Sequence, residues 1–333
     1  MNAAIKAIGV FLPQHTLTNE QLAQRYPDWG VDKILLKTGI EVRHLAGEGE
    51  TAGDLAENAV RRLLATGACP PEEVDFLLLC TQSPDYFLPT TACCLQDRLG
   101  LPKSCGALDF NLGCSGFVYG LALAKGLLET GSAHHVVLVT AETYSKFLRP
   151  EDRSVVTIFG DGAAATLIGP VEDEAPHLGP FVFGTDGSGA PNLIVRAGGM
   201  RSPAGAGKSE DEYLYMNGPE VFNFALENVP PVVADLCEKA QLGLDDVDVF
   251  VFHQANAFML ETLRRKLRIP PAKFIVNMND YGNTVSATIP MALEKALRQG
   301  AIAPGARVMV VGFGVGYSWA AGMITIPKVG VRL

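Results

Sequence analysis

Residues Phe110–Gly131 read FNLGCSGFVYGLALAKGLLETG, and residues Asn279–Gly300 read NDYGNTVSATIPMALEKALRQG. The two stretches overlay without a gap. Gly113 falls on Gly282, and Cys114 falls on Asn283. Each reads as the end of a short strand, a glycine-containing turn and a helix stopped by glycine. The flanking sequence repeats in the same order. Val74–Leu79 predicts a buried strand, Thr90–Leu99 a helix, Ala107–Phe110 a strand, Ser115–Thr130 a helix and His135–Thr140 a strand. Val247–Phe252, Phe258–Leu267, Lys273–Val276, Thr284–Gln299 and Arg307–Val311 follow the same pattern. Alternating strands and helices indicate an α/β fold. The repeat indicates an internal duplication of about 160 residues.

Two halves are therefore expected, residues 1–174 and 175–333, packed as pseudo-symmetric layers with matched helix N-termini near the centre. The join is placed in Asp173–Pro180, where Pro, Gly and acidic residues interrupt the pattern. Ala197–Glu210, rich in Gly, Ser, Pro and Ala, reads as a surface loop.

Composition narrows the function classes. The chain has 333 residues, 48% of them hydrophobic and 19% charged, which suits a large core and excludes a disordered chain. A net charge of -9 provides no global positive field for nucleic acid. No apolar run reaches a membrane span, and the start Met1-Asn-Ala-Ala-Ile-Lys predicts a first strand rather than an export signal. A cytoplasmic protein is expected. Seven cysteines in irregular spacing, without a C-x-x-C pair, suit neither a disulfide framework nor a zinc site.

Among the cysteines, Cys114 stands apart. It sits in Asn111-Leu112-Gly113-Cys114-Ser115-Gly116, between a strand and a helix. First-turn N–H groups and the positive end of the helix dipole favour thiolate there. The competing reading is a structural cysteine in a tight turn. His253 follows an apolar strand in Phe252-His253-Gln254-Ala255-Asn256, where open α/β sheets place their ligands. A satisfied core histidine is the bland alternative. Asn283, in Tyr281-Gly282-Asn283-Thr284, could cap a helix, but its match to Cys114 predicts that the two face each other. Cys, His and Asn together suit one chemistry. A thiolate carries an acyl group as a thioester, while amide and neutral imidazole N–H groups stabilise an enolate formed by loss of a carboxylate.

These motifs resemble the β-ketoacyl-acyl-carrier-protein synthase III family. The resemblance also rests on Lys37-Thr38-Gly39-Ile40 with Arg43-His44, Ile158-Phe159-Gly160-Asp161-Gly162-Ala163, and Gly312-Phe313-Gly314-Val315-Gly316-Tyr317-Ser318-Trp319. It implies a thiolase-fold homodimer, layered α-β-α-β-α, that loads an acyl group from acyl-CoA and condenses it with a malonyl thioester. Cys114, His253 and Asn283 correspond to the family's catalytic residues. Backbone N–H groups of Cys114 and Val315 would form the oxyanion hole, although the family has consecutive glycines where this chain has Val315. Trp29 and Arg153 would hold the adenine end of coenzyme A. Coenzyme A thioesters enter as substrates, and no metal or resident cofactor is expected.

Two departures bear on substrate and partner. Arg264, Arg265 and Lys266 lie on a basic helix that would dock an acyl carrier protein, but Phe258 replaces an arginine that the housekeeping enzymes use there. Leu88, in Pro84-Asp85-Tyr86-Phe87-Leu88-Pro89, replaces a bulky aromatic that reaches across the dimer to limit primer length. A larger or differently shaped primer pocket is therefore expected. The alternative is a relative that passes its acyl group to another nucleophile or joins acyl chains without decarboxylation.

Overall fold

The computed structural model describes residues 2–172, 176–205 and 209–333. Its core is two sheets with helices outside and between them. One sheet has five strands in the order Asn2–Phe11, Gly162–Val171, Val136–Glu142, Phe76–Cys80 and Gly106–Phe110. The last three run parallel, and the first two are added antiparallel. The other has the order Val249–Phe252, Arg307–Gly314, Ser318–Thr325 and Leu178–Thr185. Its first pair is parallel and the others are antiparallel.

The equivalent pairs occupy equivalent places in the two sheets, in keeping with the sequence repeat. One strand expectation is corrected. Lys273–Val276 makes only a single parallel bridge, Phe250 with Phe274, preceded by a 3-10 turn. Among the described residues the second sheet therefore has four strands. The expected join at residues 174/175 lies outside the described residues.

Hydrophobic patterning sets the layers. The helices Gly116–Glu129 and Thr288–Arg298 lie between the sheets, touching strands of both. They bury Phe117, Leu121, Ile289 and Leu293 against Leu138 and Val310. Ala52–Ala65 covers the outer face of the five-stranded sheet with Leu55, Ala59 and Leu63. The helix Gly218–Ala240 covers the outer face of the other sheet with Phe224, Val229 and Val233. Among the described residues, three of the four apolar clusters thus alternate with the two sheets, and the fourth surrounds Cys114. Among the described residues, no helix is long and apolar enough to cross a membrane.

Candidate active site

The nucleophile turn is shaped by missing side chains. A Cβ on Gly312 would lie 2.6 Å from the Cys114 carbonyl oxygen and 2.7 Å from Ser115 Cα. One on Gly314 would lie 2.8 Å from Cys114 Sγ. The glycines that end the strand Arg307–Gly314 therefore let the turn of the other half press against it. The Ser115 and Ser318 hydroxyls close the same contact.

Asn283 is placed by another glycine-dependent contact. Its backbone pairs with the segment 158–160, Asn283 N–H donating to the Ile158 carbonyl at 3.0 Å and Gly160 N–H to the Asn283 carbonyl at 3.0 Å. A Cβ on Gly160 would meet the Tyr281 carbonyl at 2.5 Å. The Ile158–Ala163 motif thus supports the asparagine. Buried Arg43 steadies the same region by donating from Nε to the Thr157 carbonyl at 2.9 Å.

Asn283 is not the cap of the following helix. Its Oδ1 accepts the Val285 N–H at 2.9 Å, and Val285 takes φ 54°. A 3-10 turn, Val285–Ala287, then leads into an α-helix starting at Thr288 rather than at the expected Thr284. One amide N–H of Asn283 lies 3.5 Å from the Ala255 carbonyl. An amide carries two such hydrogens.

Cys114, His253 and Asn283 line one cavity of about 620 Å³. His253 ends the strand Val249–Phe252 and is buried. Burial pushes its pKa down from 6.5 to about 3, so the imidazole is neutral. Its Nδ1 lies 2.7 Å from the Thr288 hydroxyl, and its ring stands edge-on to Phe313 at 5.6 Å. Cys114 is 7% exposed. Burial, then the neighbouring Glu142, raise its thiol to about 12, and the N–H groups of Val315 and Cys114 oppose that rise. The expectation of a resting thiolate is corrected, because desolvation outweighs the turn's donors.

Several contributors escaped the sequence reading. Glu142 is buried beneath the turn and accepts hydrogen bonds from Ser286 Oγ at 2.7 Å, Gln82 N–H at 3.0 Å and Ser83 Oγ at 3.2 Å. Burial raises its pKa to about 8. An acid at the carboxyl end of the largely apolar strand Val136–Glu142 was the available signal. Tyr144 donates to Gln82 Oε1 at 3.0 Å. Together with Leu193 and Val315 it lines both the Cys114 cavity and an adjoining one of about 870 Å³.

Trp29 and Arg153 come together at the mouth, with the guanidinium carbon 5.2 Å from the ring centroid. Lys37 and Lys33 approach the same ring at 4.9 and 5.6 Å. Leu88 is 82% exposed and lines neither cavity of its own chain, although Tyr86 and Phe87 border the second. On the basic helix, Ala257–Lys266, Arg264 is the least exposed of the three expected docking residues. Its side chain is 15% exposed and is held by Glu261 and the Ile269 carbonyl, because it closes the helix end. Arg265 and Lys266 face solvent, Arg265 beside Glu261. Phe258 stacks on Phe222 at 5.5 Å on the cavity rim. Among the described residues, Cys69, Glu73 and His135 could share a metal ion, and none of them lines this cavity.

Two family models match, 3-oxoacyl-[acyl-carrier-protein] synthase III over residues 108–187 and its C-terminal part over 237–326. A curated β-ketoacyl-[acyl-carrier-protein] synthase III from Caldanaerobacter subterraneus is 37% identical, covering 98% of each chain. The chain belongs to the β-ketoacyl-acyl-carrier-protein synthase III family. A crystal structure of a 3-oxoacyl-(acyl-carrier-protein) synthase III is 54% identical with a TM-score of 0.96, covering 98% of this chain and 100% of the other. That from Burkholderia xenovorans LB400 is 36% identical with a TM-score of 0.92, covering 100% and 96%. This synthase III family member therefore has the thiolase fold and is an acyltransferase of the condensing class.

Proposed function

We propose that this chain moves an acyl group from acyl-CoA onto Cys114 and condenses it with a malonyl thioester to give a 3-oxoacyl thioester. The carrying observation is the convergence of Cys114, His253 and Asn283 on one cavity, with the histidine neutral. In the first half, Cys114 loses its proton and its sulfur attacks the thioester carbonyl. The N–H groups of Cys114 and Val315 receive the developing oxyanion. Coenzyme A leaves as a thiolate and takes up a proton. In the second half, the malonyl thioester loses its carboxylate as CO2. His253 and Asn283 donate to the thioester oxygen and hold the enolate. Its carbon attacks the acyl carbonyl, forming the carbon–carbon bond and releasing the Cys114 thiolate, which is then reprotonated.

Trp29 and Arg153 offer a stacking face and a cation to the adenine nucleotide, with Lys33 and Lys37 as further cations for its phosphates. No metal or bound cofactor enters these steps. Exposed Tyr86, Phe87 and Leu88 support a homodimer in which this loop closes the partner's primer pocket. The second cavity beyond Tyr144 supports primers larger than acetyl. Arg265 and Lys266 support docking of an acidic carrier protein, whereas Phe258 adds no charge to that surface.

The test is to separate the half-reactions. Cys114→Ala should form no acyl-enzyme. Asn283→Ala should still acylate but condense on the order of a hundredfold more slowly, as for loss of one oxyanion donor. Normal condensation by the Asn283 variant would remove the enolate role assigned to it.

A further inference from the structure

We propose that Thr288 is a positioning residue that holds His253 in the tautomer carrying its proton on Nε2. The inference rests on the reading of His253 as a donor given above.

His253 is buried, and among the described residues the Thr288 hydroxyl is its one ring hydrogen-bond partner, 2.7 Å from Nδ1. The same hydroxyl lies 3.0 Å from the Val285 carbonyl oxygen. A hydroxyl has one proton and can donate only once. If it donates to Val285, the imidazole must hold its proton on Nδ1 and turn a bare Nε2 lone pair toward the cavity. Such a ring could not donate to a thioester oxygen. If it donates to Nδ1, the ring proton sits on Nε2 and is available there.

Two observations select the second arrangement. The Val285 carbonyl already accepts the backbone N–H of Thr288 through the 3-10 turn, so it keeps a partner either way. The Nδ1 contact, at 2.7 Å, is also the shorter of the two. That length is ordinary for a hydroxyl donor and short for an N–H donor. The unusual start of this segment then acquires a purpose. Asn283 captures the Val285 N–H, Val285 takes φ 54°, and the helix begins late. Thr288 is thereby brought beneath the imidazole, and one short turn places both proposed donors.

The experiment uses full-length protein with ring-15N-labelled histidine. His253→Gln identifies the resonances. In the wild type, the 15N shifts should show Nε2 protonated and Nδ1 as a hydrogen-bonded acceptor. Thr288→Val, of nearly the same shape, should lose that signature. It should slow malonyl-thioester decarboxylation by on the order of tenfold while leaving acylation of Cys114 unchanged. Thr288→Ser should restore both. A proton on Nδ1 in the wild type, or wild-type decarboxylation and 15N shifts in Thr288→Val, would overturn the proposal. A folding defect in Thr288→Val would lower acylation and decarboxylation together, and the wild-type spectrum and the Ser variant would still decide. If the wild type failed to decarboxylate any malonyl thioester, the donor reading would fall, while the 15N shifts would still report the tautomer.

Discussion

Cys114 lies just ahead of the helix Gly116–Glu129, where helix-end donors favour a thiolate, yet its thiol rises to about 12. Burial accounts for the largest part, and buried Glu142 adds to it. The resting nucleophile is therefore a protected thiol, and its proton must leave as the acyl donor binds. Glu142→Gln removes the neighbouring negative charge. The pH profile of Cys114 alkylation should move to lower pH in that variant. An unchanged profile would mean that Glu142 does not act on the sulfur. The Cys, His and Asn positions were legible because each sits at a strand end or turn in the repeat. Thr288 was not, and Glu142 offered only its place at the end of a largely apolar strand, because the importance of both arises from packing between segments distant in sequence. The low acidity of the thiol was hidden for the same reason.

At the scale of elements, glycine absence of bulk matters more than glycine flexibility. Gly312 and Gly314 end a strand on which the nucleophile turn rests. Gly312→Ala would drive a Cβ into the Cys114 carbonyl and Ser115. It should cost about 1–3 kcal/mol, read as a lower Tm, with loss of acylation. Unchanged stability and acylation would show that the turn can move aside. The helices and buried strands were legible from apolar periodicity and glycine stops. Lys273–Val276 was overread because a short apolar run lacks the partner needed to extend one bridge into a strand. The helix after Asn283 starts late because a side-chain oxygen takes an N–H before the helix can use it. On the basic helix, reversing both exposed charges, Arg265→Glu with Lys266→Glu, should raise the KM for a carrier-bound malonyl group while sparing malonyl-CoA. Equal effects on the two donors would argue against docking there.

For the whole molecule, two buried groups set opposite pH slopes. Glu142 is raised from 4.5 to about 8, so its contribution to stability is full below pH 4.5 and is lost as pH rises toward 8. His253 is lowered from 6.5 to about 3, so its contribution is full above pH 6.5 and is lost as pH falls toward 3. Of these two, it is the Glu142 contribution that slopes between pH 6.5 and 8. Glu142→Gln should flatten the decline there by on the order of 1 kcal/mol per pH unit in chemical denaturation. The same slope in both proteins would exclude this assignment. Replacing Tyr86, Phe87 and Leu88 with serine should yield monomers in sedimentation analysis if the loop closes a homodimer. Persistent dimers would place the interface elsewhere. The layered architecture was legible in the repeat, but the second cavity was not, since its walls come from seven separate stretches of chain.

The most direct test follows mass and carbon together. The protein is incubated with a panel of acyl-CoAs, the Cys114 peptide is weighed, and a malonyl thioester labelled in its free carboxylate is added. The adduct should form on Cys114, with primers longer than acetyl among those accepted. It should then discharge into a 3-oxoacyl thioester with one labelled CO2 per product. Discharge without labelled CO2, or an acyl group carried on a residue other than Cys114, would contradict the account.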